Sequence, residues 1–466
     1  MMERKLLCHL RRVSKCHRIF ATSTQHCHLM QASRCLSTIN RQPSEQHSYD
    51  VVIIGGGIVG AATAREMQTR YPMLKCAIIE KEDGFAEHQS GRSSGVIHAG
   101  IYYAPGSLMA KLCVDGLHRM YKFCQQHDVA HDRCGKLIVA TETEELERLA
   151  GLYERAKINN VPDVRMVEKN EIKDIEPHCQ GLRAIHSPHT GIVDYHGVTN
   201  TLVRLFKEDG GFSYTNFKVT SFNPVDSSSN SAVHIHGKNK DVVVKARYVI
   251  TCGGLYADKL AVMSGCNPLP KIVPFRGDYL VLKEEKRHLV KGNIYPVPNP
   301  KFPFLGVHFT PRTDGEMWLG PNAILAFKRE GYGLFDFNLK EFAEASFYRG
   351  LQKLVFKNFG HVVNELYNGF NLTATVKNLQ KFIPEITPKD VVRGPSGVRA
   401  QALAADGSLV NDFLFDGGTG DVGSRMLHVR NAPSPAATSS LAIAEMVVDE
   451  AEQKFSFKTV RHDFLS

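Results

Sequence analysis

The sequence predicts an α/β fold organised on a Rossmann-like, dinucleotide-binding unit, and three observations between residues 49 and 80 predict it. Asp50 precedes Val51, Val52, Ile53 and Ile54, a run short and β-branched enough to be a buried parallel strand. Gly55, Gly57 and Gly60 then fill a G-x-G-x-x-G pattern ahead of the small residues Ala61, Ala62, Thr63 and Ala64. A second apolar run over residues 76–79 ends at Glu80, twenty positions after Gly60, where the pattern places a carboxylate for ribose hydroxyls.

Each glycine answers a separate need. Gly55 turns the chain out of the strand, Gly57 lets the backbone approach a pyrophosphate, and Gly60 lets the helix lie close on the sheet. The helix that follows opens with Ala61, Ala62, Thr63 and Ala64, its first N–H groups facing the phosphates, and Ile58 within the glycine turn is a cofactor contact. Glycine triplets are common and most bind nothing, but strand, triplet, helix, strand and acid in this order favour a nucleotide site. The acid also disfavours a 2′-phosphate.

The elements follow in order. Past Lys81, which borders the same nucleotide site, residues 88–100 are too rich in Gly, Ser and His for a helix. They read as a loop in which Ser90, Ser93, Ser94 and Gly95 offer hydroxyl and backbone donors to a ribityl chain and phosphates. Residues 107–127 form an amphipathic helix striped by Leu108, Leu112, Leu117, Met120 and Phe123. A strand at 135–140, a charged helix at 142–159, an irregular stretch from Pro162 and a short helix at 171–176 come next. Residues 182–195 read as strand, turn and strand, and 196–209 as helix. Residues 217–250 form a β-meander with turns at 226–230 and 237–240, and it runs into Cys252, Gly253 and Gly254, a second glycine turn placed beside the first. Strand-like pieces over 272–318 and a long helix at 339–359 build an antiparallel sheet with a covering helix, and so a second domain. After residues 394–399 come a hairpin, a glycine-rich loop at 417–423 and a last helix following Pro433.

With 466 residues, 43% of them hydrophobic, the chain can bury two domains' cores. Its net charge of +9 is concentrated at the start, where residues 1–44 hold eight basic side chains against Glu3 alone. Arginine-rich, serine-containing and nearly free of acids, residues 1–46 read as a cleaved mitochondrial presequence rather than a disordered tail or a nucleic-acid-binding arm. No stretch of eighteen apolar residues occurs, so any membrane association is expected to be peripheral. Eleven cysteines without a C-x-x-C pair argue against zinc, an iron–sulfur cluster or a disulfide framework, and no metal is expected.

The glycine fingerprint with Glu80, the loop at 91–100, the meander ending at Gly253 and Gly254, and the segment from Gly394 stand in the order found in a known family. From residue 48 on, the chain resembles the FAD-dependent oxidoreductases of the D-amino-acid oxidase type, which include glycine and sarcosine oxidases and glycerol-3-phosphate dehydrogenases. Within it, residues 88–103, 191–195, 274–279 and 428–436 look like those of the FAD-dependent 2-hydroxyacid dehydrogenases that act on a small dicarboxylate. The resemblance implies an α/β architecture with a discontinuous, Rossmann-like FAD-binding domain at 47–132, 195–268 and 379–455. An α+β substrate domain on an antiparallel sheet is inserted at 133–194 and 269–378, and a tail covers 456–466. An amine-oxidising relative of the glycine and sarcosine oxidase type, or a flavin-binding module without turnover, are the alternatives.

Oxidising a secondary alcohol needs a base for the hydroxyl proton and an acceptor for the hydride, and the resemblance assigns the acceptor to FAD. His98 is the candidate base, at the apolar end of a loop placed beside the flavin, with His196 and His428 as competitors and a satisfied core histidine as the bland reading. Each substrate carboxylate needs a partner once buried, and Arg399 sits where flavin oxidases of this type carry a substrate-binding arginine. Arg276 reads first as a structural residue at a domain crossover; it, His196 and Tyr195 are secondary substrate contacts. Ser434, Pro435 and Ala436 carry a helix-start signature whose positive end, with Asn431, is assigned to the flavin. With one dinucleotide fingerprint in the chain, electrons are expected to leave to a quinone or an electron-transfer protein.

Overall fold

A computed structural model of the chain describes residues 47–224, 232–238, 242–300, 305–333, 335–358, 360 and 371–457. The expected presequence, the turn at 226–230, residues 239 and 240 of the turn at 237–240, Phe359 and most of the tail lie outside the described residues.

The strand predicted first is Ser48–Ile54, and it runs parallel between Cys76–Ile79 and Val243–Thr251. Val51, Val52 and Ile53 are fully buried, as a strand covered on both faces requires. Phe212–Tyr214 extends the sheet in parallel beyond Cys76–Ile79, and Met426–Asn431 pairs in parallel with Val243–Thr251. The predicted meander is present as Val219–Pro224, Val233–Gly237 and Val243–Thr251, paired antiparallel in that order. Helix Ile58–Arg70 buries Ala61, Ala62 and Ala64, and Tyr195–Glu208 and Ser440–Phe455 pack against it. A Cβ on Gly60 would overlap the carbonyl oxygen of Gly55, so this glycine is what lets the helix start directly on the turn.

The second sheet has nine strands, nearly all antiparallel. Its longest pair, Lys271–Leu282 and Val391–Leu403, runs from Lys271 opposite Leu403 to Leu282 opposite Val391. Val391–Leu403, which the expected division at residue 379 assigns to the nucleotide-binding part, pairs here with a strand of the second sheet. The two strands are over a hundred positions apart, so no local signal ties them, and their pairing sets Arg399 opposite Phe275. A three-stranded sheet joins Val96–Ile97, Gly191–Val193 and His131–Asp132.

Three further expectations differ. The helix at 339–359 is two helices, Leu339–Ser346 and Arg349–Lys357, broken where Tyr348 turns inward and donates its hydroxyl to the Leu403 carbonyl at 2.8 Å. The helix after Pro433 starts only at Ser440; the preceding residues form successive turns, with the Ala436 N–H on Pro433 O and the Ser439 N–H on Pro435 O. The irregular stretch after Pro162 contains a strand, Arg165–Glu168, paired with Arg183–Ser187. Only Val167 of its four residues is buried, too little apolar signal to mark a strand.

Candidate active site

A cavity of about 1370 Å³ is lined from the first sheet by Gly55, Gly57, Ile58, Glu80, Gly253 and Gly254, and from the second by Tyr279, Tyr295, His308 and Arg399. That exceeds the roughly 300–1,000 Å³ of sites that hold drug-sized ligands. The two glycine turns lie side by side because their strands are parallel neighbours, with Ile54 opposite Thr251. Gly55 has φ +114°, and a Cβ there would strike the carbonyl of Cys252.

Helix Ile58–Arg70 begins at Gly57 with no side-chain cap and no acid in its first turn, which leaves its positive end open to a phosphate. The Ile58 N–H donates to Ser90 Oγ at 2.9 Å, and Ser93 Oγ donates to the Ser90 carbonyl at 3.1 Å. The Glu80 carboxylate accepts three backbone N–H groups, from Gly56 at 2.6 Å, Lys81 at 2.8 Å and Glu82 at 3.0 Å. A carboxylate offers about four lone-pair directions, so one is left toward the cavity that Glu80 lines. Lys81, Ser90, Ser93 and Ser94 also line it. The Lys81 ammonium is engaged by Glu82 and, at 2.6 Å, by Glu330. Glu82, His88 and Glu330 bring ligand atoms within 4.8 Å of one another, and the Lys81 ammonium lies on both carboxylates.

His98 follows the strand Val96–Ile97, and its backbone N–H donates to Thr438 Oγ1 at 3.1 Å. Burial holds its imidazole well below the usual 6.5, and the positive charges of Lys136 and Arg399 and the ring of His308 push the same way. His308, buried, stacks on Tyr295 with centroids 3.9 Å apart. Its Nδ1 lies 2.9 Å from the Gly306 carbonyl. A carbonyl only accepts, so Nδ1 carries the proton and Nε2 keeps the lone pair. Burial pushes this ring down to about 3. His308 is therefore neutral at physiological pH, and burial holds His98 toward the same neutral form. The Tyr102 hydroxyl, on the same wall, is buried without a hydrogen-bond partner among the described residues.

The structure brings His98 and Arg399 onto one cavity and leaves several other expected residues out of it. His428 is a satisfied core histidine, with Nδ1 2.8 Å from Thr251 Oγ1 and Nε2 2.7 Å from Ser264 Oγ. His196 is more than half exposed, bonded to Asn200 and 3.9 Å from Glu87, and does not line the cavity. Arg276 is buried away from it, with Nη1 donating to Gly333 O at 2.6 Å and Nε paired with Asp278 at 2.9 Å, which is the structural reading. Tyr195 borders the cavity, yet its hydroxyl donates to Val96 O at 3.0 Å and meets Thr438 Oγ1 at 3.0 Å, tying loop to turn. Asn431 also borders it, but its amide N–H groups hold Val410 O and Asp412 O. Ser434 lines the wall, although no helix starts there. Gly60 and Gly95 lie outside the lining; Gly95, at φ +77°, packs against Arg312.

Sequence reasoning missed His308, Tyr279, Tyr295 and Tyr102, which line the cavity, and Lys136 behind them. Lys136 leads the otherwise apolar strand Lys136–Ala140, and a lysine at a strand end ordinarily points to water; only its 2% exposure distinguishes it.

The family model described as FAD dependent oxidoreductase matches residues 50–450. The chain belongs to this family. Among its relatives are proteins named L-2-hydroxyglutarate dehydrogenase, mitochondrial. The one from Nematostella vectensis is 58% identical over 434 residues, covering 91% of this chain and 94% of that protein. The one from Homo sapiens is 55% identical, covering 88% and 89%. The one from Dictyostelium discoideum is 47% identical, covering 87% and 93%. Among solved structures, L-alpha-glycerophosphate oxidase from Mycoplasma pneumoniae with FAD bound superposes with a TM-score of 0.71 at 21% identity, over 89% of this chain and 97% of that one. Glycine oxidase from Geobacillus kaustophilus gives 0.62 at 18% identity, over 89% and 96%. These two share the fold of this FAD-dependent oxidoreductase.

Proposed function

We propose that this chain oxidises L-2-hydroxyglutarate to 2-oxoglutarate. The observation that carries the reading is the convergence of Arg399 and two uncharged histidines on the cavity that holds both glycine turns. The names of its relatives supply the substrate. FAD, when bound, supplies the acceptor for the hydride leaving the substrate carbon. Gly55, Gly57 and the start of helix Ile58–Arg70 hold its pyrophosphate, and Glu80 takes a ribose hydroxyl. Arg399 grips a substrate carboxylate with its planar fork. His98 takes the hydroxyl proton, which its neutral ring permits; Tyr279 and Tyr295 wall the pocket and exclude water.

Residues 1–46 serve as a mitochondrial presequence on this reading, in keeping with the relatives' names. Electrons pass on to a quinone or an electron-transfer protein. No helix among the described residues is long and apolar enough to cross a membrane. Phe347 and Phe356 are 83% and 81% exposed and offer a peripheral foothold at the inner membrane.

Anaerobic mixing of the holoenzyme with L-2-hydroxyglutarate should bleach the flavin, whereas glycine and sarcosine should leave it yellow. Flavin left oxidised by the hydroxyacid, or bleached by the amines instead, overturns the reading.

A further inference from the structure

Lys136 is the buried charge that the proposed reaction leaves without a task. It is 2% exposed, and its ammonium has no carboxylate partner among the described residues. What surrounds it is aromatic: Nζ lies 3.9 Å from the ring centroid of Tyr295 and 5.5 Å from that of Tyr102. Both rings line the cavity. The strand Lys136–Ala140 holds the side chain there from both edges, pairing Lys136 with Asn293 on one side and Ser187 on the other.

Burying an ammonium without an anion is costly, and cation–π contact offsets only part of that cost. Methionine would fill the same space without the penalty. A cation kept in such a place is accounted for if an anion arrives. Its field already reaches the site, since it contributes to holding both His98 and His308 uncharged.

The geometry points to Lys136 as the second positive charge of the substrate pocket, acting through the wall formed by Tyr102 and Tyr295 to select a dianion over a monoanionic 2-hydroxyacid. Arg399 answers one carboxylate, and Lys136 answers the other. This rests on the proposed oxidation of L-2-hydroxyglutarate and adds what makes the site prefer two carboxylates. Lys136 is a positioning residue, since Tyr102 and Tyr295 stand between it and the ligand.

The test compares wild type, Lys136→Met and Lys136→Arg as holoenzymes, with L-2-hydroxyglutarate and L-2-hydroxybutyrate as paired substrates. Lys136→Met should lower the dicarboxylate-to-monocarboxylate ratio of kcat/KM by roughly tenfold or more, the order of one partly screened charge. The loss should appear chiefly in KM for the dicarboxylate. Lys136→Arg should keep most of the preference. Lys136→Met should also melt no lower than wild type, because it relieves a buried charge. An unchanged ratio overturns the proposal. So does a Lys136→Met protein that melts lower or fails to fold, since the lysine would then be serving the fold. Failure of wild type to oxidise L-2-hydroxyglutarate at all would instead strike the underlying functional reading.

Discussion

At the scale of single residues, Arg399 and the titrating groups around it make the sharpest demands. If the Arg399 guanidinium pairs with a buried carboxylate, Arg399→Ala leaves that carboxylate uncompensated, a loss of about 3–5 kcal/mol. Steady-state kcat/KM for L-2-hydroxyglutarate should fall by about two to four powers of ten, with flavin absorbance retained. Arg399→Lys should recover only part, because a point charge does not reproduce the fork. Loss of flavin along with activity would move Arg399 to a cofactor or folding role. The pH profile carries a second prediction. His98 is held below 6.5, so it stays a competent base down to that pH, and kcat/KM should fall only on further acidification. Stability follows the same sign: the unfolded histidine takes a proton near 6.5 that the folded one refuses, so folding weakens as pH drops below that point. On the alkaline side, burial draws Lys136 from 10.5 down to about 7, against the opposing pull of the Cys113 and Cys134 thiols. With Tyr102, Tyr295, His98, His308 and Arg399 around it, an alkaline fall in kcat/KM near 7 should be present in wild type and absent from Lys136→Met. A profile flat through that range in wild type would contradict it.

At the scale of elements, legibility follows locality. The strand, turn and helix around Gly55, Gly57 and Gly60 were readable because the apolar run, the glycine spacing and the acid at Glu80 all fall within about thirty residues of sequence. The meander was readable for the same reason. What the chain did not reveal is what distant pairing decides: Val391–Leu403 joining Lys271–Leu282, and Lys136 buried by strands at 183–187 and 293–296. His98 and Arg399 could be named from their motifs, whereas His308 becomes visible only once Tyr295 stacks on it. The two later glycines of the fingerprint separate experimentally. A Cβ at Gly60 collides with rigid backbone at Gly55, while one at Gly57 meets only Ser90 Oγ at 3.3 Å and otherwise faces the cavity. Gly60→Ala should therefore lower the melting temperature of apoprotein and holoenzyme alike. Gly57→Val should leave the apoprotein's melting nearly unchanged and abolish flavin retention through desalting. A Gly57→Val protein that keeps full flavin would remove this turn from the cofactor site.

At the scale of the whole molecule, the cavity is the joint between two sheets that the chain crosses repeatedly. Its walls come from the glycine turns of the first sheet and from Tyr279, Tyr295, His308 and Arg399 of the second. Val391–Leu403 leaves the second sheet only a short distance before Met426–Asn431 enters the first, so neither sheet is completed by one continuous piece of chain. Such interleaving predicts that the two sheets unfold together and that flavin, lodged between them, stabilises both. A ligand at a hundred times its dissociation constant adds about 2.7 kcal/mol to the stability of the folded state. Removing flavin should lower the melting temperature by a few degrees, since about 1 kcal/mol is worth 2–4 °C even in a domain of roughly 150–250 residues. Calorimetry of holo- and apoprotein should then show one transition that moves as a unit. Two transitions, of which only one shifts when flavin is removed, would mean that the sheets are separate folding units and that the cofactor is held by the first alone.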